Sequence, residues 1–161
     1  VFNGRGLAGT ERNDIIFRPP AASVPAQNAK KKKLEPRPLE APSASWVRVI
    51  APDPVLMFRH SAVTFNSHRI HYDRDYVRKK GYPGLLLQGT LIARLMLDML
   101  HRQMPEFDVS SFSFRSGRPI YDNGNFTIEA TLNTAGDEVA FRATDFAGNV
   151  GMTAQAVRVV V

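Results

Sequence analysis

The sequence contains no cysteine, so disulfide bonds, thiolate metal sites and a cysteine nucleophile are all excluded. It also lacks a long uninterrupted apolar run. Its most hydrophobic stretch, residues 85–100, is broken by Gln88, Arg94 and Asp98 and is too polar to span a bilayer. The first residues do not follow the charged, apolar and then small order expected of a secretory signal. The lack of cysteine is compatible with a reducing compartment.

The composition is that of a globular protein. The chain has 161 residues, of which 43% are hydrophobic and 22% are charged, enough for one ordinary domain with a sizeable core. The formal net charge of +6 makes polyanions, membranes and phosphorylated small molecules plausible partners.

Residues 19–45 are predicted to form a flexible, solvated linker. They contain six prolines and four consecutive lysines at residues 30–33, without apolar periodicity. The lysine run could attract an acidic carrier protein or nucleic acid, but a solvated linker is the favoured interpretation. No aromatic stacking platform accompanies the lysines, so nucleic-acid binding has little support. Before the linker, residues 14–18 are predicted to form a short strand that needs a partner.

From residue 46 onward the pattern is that of a folded domain. Residues 46–51 alternate as a strand does, and Asp53 followed by Pro54 predicts a helix start. That helix is expected to end near Thr64. Its predicted apolar face consists of Leu56, Met57 and Val63.

A short helix and then a long one are expected next. Asp73 or Asp75 is predicted to cap a helix that runs to Lys80. Residues 85–104 form the longest helical pattern, apolar over most of its circumference and therefore mostly buried, with Pro105 ending it. Four strands separated by glycine-containing turns follow, at residues 109–118, 126–132, 139–146 and 152–161. This order predicts an α+β domain with an antiparallel sheet curled around the long helix.

Chemically versatile side chains are concentrated in residues 66–73, just before that helix. An amide, two imidazoles, a phenol and a carboxylate occupy eight positions; they belong to Asn66, His68, His71, Tyr72 and Asp73. Groups that donate, accept and move protons thus lie beside the most hydrophobic segment. This arrangement suits chemistry on a small group attached to an apolar tail.

The order of elements and this motif resemble the hot-dog fold, in particular the MaoC-like (R)-specific enoyl-CoA hydratases and dehydratases. That branch carries an Asp-x-Asn-Pro-x-His-x-Asp signature before its central helix. Here the spacing to His71 is kept, but Asn66 stands at the first aspartate position and His68-Arg69 replace Asn-Pro. Residues 58–73 and 81–85 are similar to those of mitochondrial 3-hydroxyacyl-thioester dehydratases and of mesaconyl-CoA and itaconyl-CoA hydratases, in which His-Gly usually stands where Gln88-Gly89 stand here.

The resemblance implies a domain organisation and a set of partners. Residues 46–161 correspond to a catalytic hot-dog domain, residues 19–45 to the linker, and residues 1–18 to a remnant strand of an N-terminal hot-dog half. A homodimer or a double-hot-dog pseudo-dimer is expected, with the pantetheine arm of an acyl-CoA substrate running between the two units. The resemblance implies no metal and no redox cofactor. It also implies a location in the bacterial cytoplasm or the mitochondrial matrix.

Hydration of an enoyl thioester requires a base, an acid and a group that stabilises negative charge on the thioester oxygen. His71 is predicted to transfer protons, since imidazole titrates near neutral pH. The resemblance assigns the backbone N–H of Gly89 as the oxyanion donor. Asn66 is the third predicted catalytic residue; an amide cannot be a general base, but it can hold the water or orient a proton on His71. The alternative for Asn66 is a turn asparagine.

The residues predicted to bind substrate are His68, Arg69, Tyr72, Asp73 and Gln88. His68 could instead be structural, and Tyr72 could be a packing residue. Asp73 could orient an imidazole or only cap the next helix. Arg69 could meet CoA phosphates or be merely solvated. Either His71 carries out both proton steps, or His68 or Asp73 takes over one.

The sequence therefore predicts an enoyl-thioester hydratase or 3-hydroxyacyl-thioester dehydratase, with CoA as the carrier. A hot-dog thioesterase is the first alternative, because position 66 lacks the expected aspartate. A non-catalytic acyl-thioester-binding subunit is the second. Replacing His71 by alanine separates catalysis from binding, since a catalyst should lose turnover and keep its affinity for the ligand.

Overall fold

The structure is a computed structural model that describes residues 1–15 and 44–159, and the chain divides into two compact units, Val1–Leu34 and Glu35–Val161. The first unit contains a small antiparallel hairpin, β1 (Phe2–Asn3) and β2 (Gly6–Leu7). Asp14 and Ile15, predicted to begin a strand, have no regular structure. The rest of that predicted strand and nearly all of the predicted linker lie outside the described residues.

The second unit is an α+β domain. Its strands and helices are, in chain order, β3 (Trp46–Ile50), α1 (Pro54–Val63), a 3₁₀ turn (Arg69–His71), α2 (Arg74–Lys79), α3 (Gly89–Gln103), β4 (Val109–Ser116), β5 (Phe126–Leu132), β6 (Glu138–Thr144) and β7 (Val150–Arg158). Asp53 caps α1 by accepting a hydrogen bond from the Val55 N–H at 2.9 Å, and Asp73 caps α2 through the Tyr76 N–H, also at 2.9 Å. Both predicted caps are confirmed.

The five long strands form one antiparallel sheet in the order β3-β5-β6-β7-β4. Side chains of β5 alternate between its two faces, and Phe126, Ile128 and Ala130 are buried on one of them. Their neighbours across the ladder on β6 and β7 are equally buried, so one face of the sheet is continuously apolar.

Helix α3 packs into the same core as that apolar face. Its buried residues recur at helical spacing; they are Leu91, Ile92, Ala93, Met96, Met99 and Leu100. Burial of apolar surface stabilises such packing by about 25 cal/mol per Å². The predicted arrangement of an antiparallel sheet around one long helix is confirmed.

Two local predictions were wrong. Residues 85–88 are extended rather than helical, because their backbone groups are bonded to residues distant in sequence: the Leu86 N–H donates to the Ile70 carbonyl and the Leu87 N–H to the Ile120 carbonyl, each at 2.9 Å. In α1 only Met57 of the predicted apolar face is buried, whereas Leu56 is exposed and Val63 is 74% exposed.

Candidate active site

The loop after α1 turns sharply before the motif. The Asn66 N–H donates to the Ser61 carbonyl at 2.9 Å, and Phe65 takes a left-handed φ of 54° with its ring 95% exposed. Oδ1 of Asn66 accepts a hydrogen bond from the His68 N–H at 3.1 Å. Asparagine readily forms such side-chain turns, so the contact matches the turn role that was the alternative for Asn66.

His71 ends the 3₁₀ turn and is 7% exposed. Its Nδ1 lies 2.7 Å from the Leu86 carbonyl oxygen, so Nδ1 carries the proton and donates it to that carbonyl. Burial lowers the pKa of His71; the bond to Leu86 partly opposes this and the nearby His68 adds to it. His71 is therefore neutral at pH 7, with a lone pair on Nε2 that can accept a proton.

The extended segment that holds His71 is itself fixed by a buried carboxylate. One oxygen of Asp122 accepts the Leu85 N–H at 2.7 Å, and the other accepts a guanidinium N–H of Arg74 at 2.6 Å. The Asp122 side chain is 1% exposed. Gly84 fits against it, since an added Cβ would lie 2.5 Å from the same carboxylate. Asp122 thus ties the segment both to α2 and to the turn before β5.

Helix α3 begins at Gly89, directly after this segment. Gln88 provides no side-chain cap, and its carbonyl accepts from the Leu91 and Ile92 N–H groups. The N–H groups of Gly89 and Thr90 have no acceptor within residues 1–15 and 44–159. Unpaired N–H groups and the helix dipole favour an anion or a developing negative charge at such a helix end.

Gly89 also allows close approach of the sheet. A Cβ at this position would lie 2.9 Å from the Ser116 hydroxyl oxygen and 3.4 Å from a methyl carbon of Met152. Only glycine therefore fits without displacing Ser116. Close packing and an exposed N–H are compatible at the same residue.

Gln88 connects α3 to α1 instead of lining an open surface. It is 2% exposed, and its Nε2 donates to the Met57 carbonyl and to the Ser61 hydroxyl, each at 2.9 Å. Its Oε1 has no partner in the described part of the chain. These contacts hold the two helices together at the start of α3, and they differ from the substrate contact predicted for Gln88.

Two of the other predicted substrate-binding residues form an ion pair. Arg69 donates to one carboxylate oxygen of Asp73 through two nitrogens, at 2.7 and 3.0 Å, and its guanidinium lies 4.7 Å from the ring centre of Tyr76. The Tyr76 N–H and then Arg69 lower the pKa of Asp73. Asp73 therefore has the capping role that was its favoured alternative.

His68 and Tyr72 border His71 from the solvent side. The His68 ring is exposed, and its centre lies 6.0 Å from that of His71. The Tyr72 hydroxyl donates to the Ser67 carbonyl at 2.8 Å, and its ring meets Phe58 edge-on at 6.3 Å. The His68 ring is close enough to the imidazole for both to contact one bound molecule.

Sequence reasoning missed one pair of residues. Nε2 of His60, in the last turn of α1, lies 2.9 Å from the hydroxyl oxygen of Thr90. Burial, the Arg94 guanidinium and His71 all lower the pKa of His60, so His60 lies within electrostatic range of His71. The signal was the position of His60 inside the long motif, one turn before the loop.

The described residues show neither a cluster of metal-binding side chains nor a membrane-spanning helix. No three histidine, aspartate or glutamate side chains in residues 1–15 and 44–159 lie together as a metal site requires. None of the helices that the structure describes has the length and hydrophobicity needed to cross a membrane.

Comparison with known proteins identifies the family. Residues 1–122 match the family model described as hydroxyacyl-thioester dehydratase type 2. Mesaconyl-C(4)-CoA hydratase of Chloroflexus aurantiacus is 40% identical over 157 residues, which is 96% of this chain and 52% of that protein. The mitochondrial hydroxyacyl-thioester dehydratase type 2 of Schizosaccharomyces pombe is 36% identical over 85 residues, 51% of this chain and 28% of that protein. The chain thus spans about half the length of the first relative and less of the second.

A solved structure shows the same fold. The (R)-hydratase of A. caviae involved in PHA biosynthesis superposes with a TM-score of 0.59 at 16% identity, over 73% of this chain and 96% of that one. The predicted hot-dog fold is therefore confirmed. Together with the family-model match, these comparisons show that the chain belongs to the hydroxyacyl-thioester dehydratase type 2 family.

Proposed function

We propose that this protein interconverts an enoyl thioester and a 3-hydroxyacyl thioester, and is thus a carbon–oxygen lyase. The observation that carries the proposal is the position of the neutral imidazole of His71. It is held by the Leu86 carbonyl, three residues before the unpaired N–H of Gly89. One short segment thus holds the base through the Leu86 carbonyl and supplies the oxyanion donor at Gly89.

In the hydration direction, Nε2 of His71 takes a proton from water while the water oxygen forms a bond to Cβ of the substrate. The electrons of the carbon–carbon double bond move towards the carbonyl, so the thioester oxygen becomes negative. The Gly89 N–H donates a hydrogen bond to that oxygen, assisted by the dipole of α3. The His71 imidazolium then gives its proton to Cα, which restores the base and completes the addition of water.

The remaining predicted residues surround this centre. Asn66 shapes the loop through the His68 N–H, and Gln88 keeps α1 against α3. We assign His68 and Tyr72 to the rim that contacts substrate, and the Arg69–Asp73 pair to holding α2 beside it. No cofactor takes part in this scheme, since each step uses water and groups of the chain.

CoA is the proposed carrier of the acyl group. The match to the Chloroflexus relative covers nearly the whole of this chain, and the name of that relative specifies a CoA thioester. The bacterial and the mitochondrial relative support a location in the bacterial cytoplasm or the mitochondrial matrix.

A second hot-dog unit is the proposed partner, from another copy or from another half. Strand β4 lies at the edge of the sheet and pairs only with β7 among the described strands, and most of its residues are exposed. An open edge of eight residues offers backbone groups to a further strand. Sedimentation or light scattering should therefore give twice the mass of a single unit.

The experiment that tests the activity follows the absorbance of the conjugated thioester with crotonyl-CoA and with mesaconyl-C(4)-CoA, alongside a free-thiol assay. Loss of absorbance without thiol release is expected, and His71→Asn should slow this loss by roughly 10²–10⁴. Thiol release would instead show a thioesterase. Tight binding of the acyl-CoA with neither loss of absorbance nor release of thiol would show a non-catalytic subunit.

A further inference from the structure

The contact between His60 and Thr90 has no part in the mechanism above. It joins the last turn of α1 to the first turn of α3, at the residue after Gly89. The pair therefore lies at the helix end proposed to bind the thioester oxygen, and within electrostatic range of His71.

The proposed reaction needs a second hydrogen-bond acceptor for the attacking water. An attacking water that gives one hydrogen to His71 is well oriented only if a second acceptor takes its other hydrogen. The motif would supply that acceptor at position 66, but Oδ1 of Asn66 already accepts the His68 N–H. That bond uses one of the two lone pairs of Oδ1. The Thr90 hydroxyl, in the first turn of α3, offers a further acceptor from another element.

Two other polar groups of the loop already take part in hydrogen bonds that hold the loop. The Asp73 carboxylate accepts from the Tyr76 N–H and from Arg69. The Tyr72 hydroxyl donates to the Ser67 carbonyl. Thr90 differs because its O–H can donate a hydrogen bond to a neighbouring imidazole. The lone pairs of its oxygen then remain available to accept a hydrogen bond from water.

That partner is the imidazole of His60. Partial burial and the Arg94 guanidinium on α3 oppose a positive charge on His60, and His71 opposes it as well whenever His71 itself becomes protonated. A neutral imidazole with a lone pair on Nε2 accepts the Thr90 O–H.

We propose that Thr90 is a further catalytic residue whose hydroxyl oxygen accepts a hydrogen bond from the attacking water, and that His60 is a positioning residue that orients this hydroxyl. The inference rests on the proposed hydratase function. One water hydrogen points to Nε2 of His71 and is transferred, and the other points to Oγ1 of Thr90 and stays on the oxygen that bonds to Cβ. The hydrogen bond from Thr90 to His60 persists throughout, so no net proton passes through the pair.

Variants of Thr90 test the hydroxyl. Thr90→Val should lower kcat at least tenfold with little change in KM, and Thr90→Ser should restore it. His60→Phe should resemble Thr90→Val, because it removes the acceptor. Wild-type kcat in Thr90→Val would overturn the proposal.

The pH profile separates orientation by His60 from a merely structural role. Both histidines must be neutral in the wild type, so log(kcat/KM) should fall with a slope of 2 on the acid side. In His60→Gln the amide oxygen still accepts the Thr90 proton but does not titrate, so activity should persist and the slope should become 1. His101→Gln, which changes an exposed histidine at the far end of α3, should keep the slope of 2. A wild-type slope of 1 would overturn the role of His60.

A measurement without substrate keeps the two proposals distinct. In nitrogen NMR of the resting protein, His60 should carry its proton on Nδ1 and a lone pair on Nε2, and the Nε2 resonance should shift in Thr90→Val because the hydroxyl that donates to it is gone. A proton on Nε2 of His60 would overturn the inferred direction of the hydrogen bond. If the wild type hydrated neither thioester, the hydratase proposal would fail while this spectrum still decided whether Thr90 donates to His60.

Discussion

Nδ1 of His71 and the carbonyl oxygen of Leu86 are 2.7 Å apart, although fifteen residues separate them along the chain. This hydrogen bond sets the tautomer of the imidazole and aims Nε2 away from the segment that leads into α3. Replacing His71 by asparagine keeps a donor near the position of Nδ1 and removes the basic nitrogen. We expect kcat for hydration to fall by roughly 10²–10⁴ while substrate affinity is retained, as measured by single-turnover absorbance and calorimetry. A drop of less than tenfold would exclude His71 as the base.

Protein stability should depend on the protonation of the same imidazole. Burial lowers the pKa of His71 below its ordinary value of 6.5 in the folded state only. As the pH falls below about 6.5 the unfolded chain binds a proton and the folded chain does not, so the free energy of unfolding decreases. The decrease ends once the pH is below the folded-state pKa. Urea unfolding at pH values between 8 and 5 measures this decrease. In His71→Asn the free energy of unfolding should depend less steeply on pH.

Asp122 is expected to matter for both stability and activity. Asp122→Ala leaves the buried Leu85 N–H without its acceptor, which costs about 1–3 kcal/mol. The segment that carries the Leu86 carbonyl then loses one of its fixed points, so kcat should fall as well. Asp122→Asn is the matched control: it keeps an oxygen for Leu85 and should retain most of the stability. Equal stability of the alanine variant and the wild type would contradict this assignment.

Gly89→Ala tests the start of α3. The new Cβ would lie 2.9 Å from the Ser116 hydroxyl oxygen, so either Ser116 or the first turn has to shift, and we expect the turn to move its N–H away from the thioester oxygen. Loss of an oxyanion donor typically costs roughly 10²–10³ in rate. In the double variant with Ser116→Ala the main obstacle is removed, and part of the activity should return. Full activity of Gly89→Ala alone would show that the N–H needs no such close placement.

The elements could be predicted from the sequence where local signals determine them. Asp53-Pro54 and Asp73 mark helix starts through their own side chains, and β5 shows its alternation directly, so these bounds agree with the structure. Residues 85–88 could not be predicted in this way. Their apolar character suits a helix, but their conformation depends on hydrogen bonds with Ile70, Ile120 and Asp122 that no local pattern reveals.

The same distinction applies to the site. The motif located His71 and Gly89, because their spacing is a sequence property. The contacts of Gln88 with Met57 and Ser61, and of His60 with Thr90, join helices about thirty residues apart and depend on how α1 lies on α3. The catalytic roles themselves stay predictions until the variants are measured.

The extended segment at residues 85–88 has a consequence for folding kinetics. Its Leu86 N–H is bonded to Ile70, and the flanking N–H groups of Leu85 and Leu87 are bonded to Asp122 and Ile120. The segment that carries the carbonyl partner of His71 is therefore fixed only after chain regions some fifty residues apart have met. Contacts of such sequence separation form slowly compared with helices. In a refolding experiment, the circular dichroism of helices should therefore return before enzymatic activity does. The delay would measure how long residues 85–88 take to form their long-range hydrogen bonds, and not how long α3 takes to form.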